Sequence, residues 1–166
     1  MSFDALPDSS RLWLLALETV PGPAAEAQLV QGLAAILEHW RHKGMAYQGA
    51  CALLQRQIIA VAEPNLATQP SGCAIDGMLR KIDRLTEQLA LPLVDPAECI
   101  LARVDGRLQA IPKAALGERL ASGALTAATP VLDLSLYSLG ELRAGHLENP
   151  LASTWIGRKF NLAVQA

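Results

Sequence analysis

Ser71-Gly72-Cys73 stands immediately before the strongest helical pattern in the chain, and its residue types suit chemistry better than any other short segment. As an N-cap, Ser71 offers its hydroxyl to a backbone N–H two or three residues on, Gly72 leaves the backbone open to close approach, and Cys73 falls in the first turn. A thiol in a first turn feels the positive end of the helix dipole, which favours thiolate, and the same N–H groups suit a carboxylate or phosphate. Asp76 fits that turn too, where it competes with a bound anion. The plainer reading is a capped helix carrying a small buried cysteine, because free cysteines are among the most buried residues.

A second constellation is His39-Trp40-Arg41-His42. His39 and His42, three residues apart on a helix, lie near one face, yet no third ligand accompanies them and no metal site is expected. The alternative is a core Trp40 with basic side chains beside a helix C-terminus, where positive charge is favoured. His146 is isolated in an expected loop. No GxxxxGK[ST], GxGxxG, GxSxG or HExxH pattern occurs, so phosphate cradling by a Walker loop and the best-known hydrolase arrangements have no support. Asp76 and Asp83, seven apart, read as a solvated helix edge.

The elements that must position these residues follow from periodicity and punctuation. Leu12 to Leu17 reads as a strand closed by Pro21-Gly22-Pro23. Pro23 suits a first helical turn, and Val30, Leu33, Ala34, Leu37 and Trp40 then form one face of a helix expected to stop near Gly44. Met45 to Leu54 and Gln57 to Ala62 read as strands of a hairpin across Gln55-Arg56. Ile75, Met78, Leu79, Ile82, Leu85 and Leu89 define the second helix, which stops before Pro92. Asp105-Gly106 suits a type I′ turn between strands Cys99 to Val104 and Arg107 to Ile111. A short helix over Lys113 to Ala121 ending at Gly123, a strand over Pro130 to Leu136 and an irregular tail complete the chain. The order strand, helix, strand, strand, helix, strand predicts an α+β two-layer sandwich with a ferredoxin-like (split βαβ) core, an added hairpin strand and a C-terminal extension. The expectation is a single domain over 1–166, with its core at about 11–136 and the extension at about 137–166.

Composition bounds the function class. The 166 residues are 51% hydrophobic but only 4% aromatic, so the core is aliphatic and the chain as a whole is not a disordered one. Fourteen basic against sixteen acidic side chains leave a net charge of −2, with no basic stripe for nucleic acid. The longest apolar runs, Leu12 to Leu17 and Ile58 to Ala62, fall far short of the roughly 20 residues of a membrane helix. Residues 1–10 carry Asp4 and Asp8 and nothing basic, unlike a signal peptide. Cys51, Cys73 and Cys99 are widely spaced with no CxxC pair, which suits a reducing interior. These features predict a soluble, cytoplasmic protein.

Trp40-Arg41-His42-Lys43-Gly44 after an apolar helix, Ser71-Gly72-Cys73-Ala74-Ile75-Asp76 before the next, and a late Trp155 resemble a family of short bacterial proteins of unknown function. Some of its members are labelled ABC transporter ATPase. The resemblance runs from about Leu12 to about Trp155, and the SGC-[small]-ID segment is its most specific part. The ATPase label does not transfer, since neither a Walker lysine nor the ABC signature is present. The resemblance implies that Ser71, Cys73 and Asp76, with Trp40, His42 and Trp155, form the special site.

Two functions fit. The favoured one is a cytosolic binding or interaction domain without catalysis, because no complete catalytic set exists and the aliphatic composition suits association with a partner protein or a further copy of the chain. The alternative is a small enzyme or ligand sensor in which Cys73 is the catalytic candidate and Ser71, Gly72, Cys73 and Asp76 hold a small anionic ligand. No cofactor is expected in either case.

Overall fold

A computed structural model of the chain describes residues 3–42, 45–46, 49–64 and 70–162. Its first strand, β1 (Arg11–Ala16), is apolar on both faces: Leu12, Leu14 and Ala16 are buried on one, while Trp13 and Leu15 are half-buried on the other. Such a run belongs to a strand covered on both sides. Helix α1 (Pro23–Glu38) follows, with Pro23 in its first turn and Leu29, Leu33 and Leu37 buried. Two short strands, β2 (Arg41–His42) and β3 (Met45–Ala46), pair with each other, and β4 (Ala50–Leu54) and β5 (Ile58–Glu63) form a hairpin. Its turn places Gln55 and Arg56 at φ 49° and 58°, the left-handed conformation of a two-residue hairpin loop. Helix α2 (Gly72–Gln88) buries Met78, Ile82 and Thr86 at a spacing of four.

These elements make one antiparallel sheet in the order β1-β5-β4. The central strand β5 is buried at every position. Both helices cover the same face, where Leu33, Leu37, Met78 and Ile82 pack with Ile59, Val61 and Cys51. Each large aliphatic side chain so removed from water contributes roughly 1.5–3 kcal/mol.

The rest of the chain builds a second antiparallel sheet. β6 (Cys99–Val104) and β7 (Arg107–Pro112) form the expected hairpin, with Asp105 and Gly106 at φ 50° and 75°. A 3-10 turn (Lys113–Ala115) leads into α3 (Leu116–Ala121), then come β8 (Pro130–Leu132), α4 (Leu139–Arg143) and β9 (Glu148–Pro150). A second 3-10 turn (Leu151–Ser153) precedes α5 (Trp155–Lys159). The strand order is β7-β6-β8-β9. One face packs Leu101, Leu132, Leu136 and Leu147 against Leu12, Leu14, Ala60 and Ala62 of the first sheet. The opposite face packs Ile100, Ile111 and Val131 against Leu116, Leu151 and Ile156. The layers are therefore helices, sheet, sheet, helices.

Several expectations are corrected. The chain is α+β, but it is not a two-layer sandwich, because the far face of the first sheet is covered by a second sheet rather than by solvent. Three strands take the order of a split βαβ unit, while Cys99–Val104 departs to the second sheet. Beside β1, where a fourth strand would pair, isolated bridges join Arg11 to Ser138 and Leu17 to Leu93. The first helix stops at Glu38 with His39 as its C-cap, so Trp40 lies beyond it, and Val30 is 41% exposed. The expected stop at Gly44 lies outside the described residues. Met45–Ala46 pairs with Arg41–His42 instead of extending β4. The strand at Pro130 ends at Leu132, since Asp133 turns to accept from the N–H of Ser135. Residues 137–162 supply β9 of the second sheet, and Leu147, Leu151 and Ile156 are buried in its two cores.

One polar cluster ties the sheets together. Glu148 on β9 accepts from Arg103 on β6 and from Gln55 at the β4–β5 turn, and Gln55 in turn accepts from Arg103. The Arg103 guanidinium holds the Glu148 carboxyl below the usual carboxylate range, with Gln55 adding to the effect.

Candidate functional site

The start of α2 is built as its sequence implies. Ser71 is extended, its hydroxyl accepts from the Ala74 N–H at 3.3 Å, and its carbonyl accepts from Ala74 and Ile75. Cys73 is exposed rather than buried; the buried cysteine is Cys51, whose thiol pKa burial pushes up. Gly72 faces open space. Asp76 is engaged by Arg80 one turn on, an exposed i,i+4 pair of the kind worth a few tenths of a kcal/mol. Trp40 is joined to this segment: it is buried, its Nε1–H donates to the Ala74 carbonyl at 2.9 Å, and its ring meets Trp13 edge-on with centroids 5.9 Å apart. The indole thus anchors the first turn of α2 over the core. His42 is placed through the β2 backbone, paired with Met45. His39 lies exposed with Nδ1 at 2.9 Å from the Ala35 carbonyl, an ordinary helix-end contact. Among the described residues no group of three His, Cys, Asp or Glu side chains is arranged for a metal ion.

At the N-terminal end of β1, Arg11 lies between the rings of Trp13 and Tyr137, 5.2 and 5.5 Å from their centroids. Its Nε is buried without a hydrogen-bond partner among the described residues. The register sets it opposite Glu63, which is buried.

Trp155 belongs to a different place. Its indole is 42% exposed and lines a cleft of about 770 Å³. The cleft lies along the outer edge of β1 at Leu14–Ala16. Val94, Cys99, Leu101, Leu132 to Ser135, and Trp155 and Arg158 of α5 line it as well. Lys113 Nζ sits 5.7 Å from the Trp155 ring centroid and donates to the Pro96 and Ala97 carbonyls at 2.8 and 2.9 Å, while Lys159 approaches the same ring at 5.9 Å. Arg158 also lines the cleft, and its guanidinium makes no ion pair or hydrogen bond among the described residues. Among the described residues the lining acid is Asp133, whose Oδ1 accepts from the Ser135 N–H and hydroxyl.

The edge of β1 explains why the cleft exists. At one end the Leu12 N–H donates to the Tyr137 carbonyl at 2.9 Å, and at the other the Val94 N–H donates to the Ala16 carbonyl at 2.8 Å. Backbone groups of alternate strand residues point to the same side, so the N–H and C=O of Leu14 also face outward. Neither makes a hydrogen bond among the described residues. The chain segments that cover both ends of β1 diverge between them and leave one rung of the sheet open.

Of the residues singled out by sequence, Trp40 reaches the first turn of α2 through the Ala74 carbonyl, Ser71, Gly72, Cys73 and Asp76 lie along that same turn, and Trp155 lies apart in the cleft. Sequence reasoning missed Leu14, Lys113, Arg158 and Cys99 as cleft residues. They come from β1, β6 and the segments after β7 and β9, so no local spacing could have grouped them.

The chain matches no family model, and the searches of curated proteins and of solved structures returned no significant match either.

Proposed function

We propose that this chain is a cytosolic binding domain without catalysis and that the cleft between its sheets is where it takes a small organic ligand. The observation that carries the reading is the cleft itself: about 770 Å³, lined by aliphatic residues of both sheets together with an exposed tryptophan and two cationic side chains. That is the size and mixture expected of a small-molecule site. On this reading the first sheet and its two helices are a ferredoxin-like core lacking its fourth strand, and the ligand uses the place that strand would fill. The likeness to the short bacterial proteins with the SGC-[small]-ID segment is part of the same proposal, and their ATPase label is not.

A fragment panel of mixed charge tests the reading, measured by thermal shift and by the alkylation rate of Cys99 in a Cys51→Ala, Cys73→Ala background. Fragments that raise the melting temperature and slow alkylation of Cys99 support binding in the cleft. Fragments that raise it and leave that rate unchanged refute the cleft as the site.

The exposure of Cys73 favours a second reading, in which the start of α2 is a reactive or anion-sensing site. Selective loss of phosphate or carboxylate binding in Cys73→Ala and Ser71→Ala, with Trp155→Ala unaffected, supports that reading over the first.

A further inference from the structure

Resting on the cleft reading, we propose that the ligand is peptide-like: a short extended segment with a free C-terminal carboxylate, one residue of which pairs with Leu14. Leu14 is 8% exposed, and its outward N–H and C=O lie on the β1 edge that lines the cleft. Buried backbone donors and acceptors are almost always paired, because leaving one unpaired forfeits its hydration. A donor and an acceptor on one strand residue are complementary to the reciprocal pair on another extended residue, as in an antiparallel ladder. The hydrogen bonds at Leu12 and Ala16 close off both ends of this edge. Four residues of strand span about 13 Å, so there is room for one paired residue and its immediate neighbours, not for a long added strand.

Charge sets the other end of the ligand. Among the described residues the lining carries two cations, Lys113 and Arg158, against one acid, Asp133, whose Oδ1 accepts from Ser135. Lys113 spends two of its donors on backbone carbonyls, whereas the guanidinium of Arg158 is free among the described residues. A guanidinium with an unoccupied fork is suited to a carboxylate, which it binds through two parallel hydrogen bonds. The exposed Trp155 face supplies an apolar wall for the terminal side chain. An uncharged amide would satisfy Leu14 and leave Arg158 unused; a simple carboxylic acid would do the reverse.

The test uses the whole chain, labelled with ¹⁵N, and four probes: N-acetyl-Ala-Ala-Leu as the free acid, its C-terminal amide, its analogue N-methylated at the second alanine, and a ten-residue peptide ending in the same three residues. The free acid is expected to move the Leu14 amide and the Trp155 indole resonances. Its affinity should fall about tenfold or more on amidation, on N-methylation, and in Arg158→Gln. Equal binding by the long peptide identifies protein C-termini as the ligand and its failure identifies free short peptides; either upholds the class. Indistinguishable binding of acid, amide and N-methyl analogue overturns the assignment, as does the absence of any shift at Leu14. If the fragment panel still protects Cys99, the cleft reading survives that failure; if it does not, both fall.

Discussion

Replacing Gly157 by alanine should destabilise the protein by about 2 kcal/mol, and the reason is local. A Cβ at Gly157 would lie 2.0 Å from the Ala152 carbonyl oxygen and 2.5 Å from its carbon, whereas real Cβ atoms stay beyond 3.0 Å. The obstacle is backbone, so relief requires α5 to move by about an ångström away from the 3-10 turn it packs on. Overpacking of this kind typically costs about 1–3 kcal/mol, and alanine's better helix propensity returns less than 1 kcal/mol of it. For a chain of this size that corresponds to a fall in melting temperature of roughly 4–8 °C. Two other helical glycines provide internal controls. A Cβ at Gly77 on α2 meets open space, so Gly77→Ala should stabilise by about 0.5–1 kcal/mol. At Gly32 on α1 the neighbours, at 2.6 and 2.7 Å, are the terminal methyls of Leu85, which can rotate aside; the propensity gain and the repacking then nearly cancel, leaving a change of under about 0.5 kcal/mol. Urea unfolding of the three variants with a common m-value measures all three differences. An unchanged Gly157→Ala, or a Gly77→Ala that loses more stability than it, would refute the packing described for α5. Because α5 carries Trp155 and Arg158, Gly157→Ala should also lower affinity in the cleft.

Glu148→Gln should cost about 1 kcal/mol near neutral pH, since the Arg103 pair is about 30% exposed and a glutamine keeps part of its hydrogen bonding. Because Arg103 lowers the folded carboxyl below its unfolded value of about 4.3, the stabilisation is fully present above that pH and is lost as pH falls through the folded value; the gap between the two proteins in urea midpoints should therefore close in acid, and a gap that widens there contradicts the assignment. Gly106→Val should destabilise by roughly 1 kcal/mol or more, because φ is 75° at this position and a β-branched residue resists it; an unchanged thermal midpoint would count against the turn. Thiol titration with an aromatic disulfide should modify Cys73 first, Cys99 more slowly and Cys51 only on unfolding, following their exposed, intermediate and buried positions; early reaction of Cys51 would show that the helix-covered face of the first sheet opens readily.

Short-range chemistry was legible in the residues alone. The Asp105-Gly106 turn, the Ser71 cap, the face of α2 and the strand on either side of Trp13 all depend on conformational preferences within about a dozen residues, and each is found where the sequence implies it. The helical period also carried through Leu33 and Leu37, but it could not tell that Trp40 belongs to the core from outside the helix. That depends on a hydrogen bond to Ala74, thirty-four residues away. Only the tertiary structure decided that the hairpin at Cys99 founds a second sheet. An apolar strand looks the same in sequence whether its partner is the first sheet's edge or another strand, and here β6 pairs with β7 and β8 while β1 is left with bridges at its ends. The open rung at Leu14 and the cations beside Trp155 follow from that choice of partner. They are properties of two surfaces meeting, and no spacing along the chain encodes them.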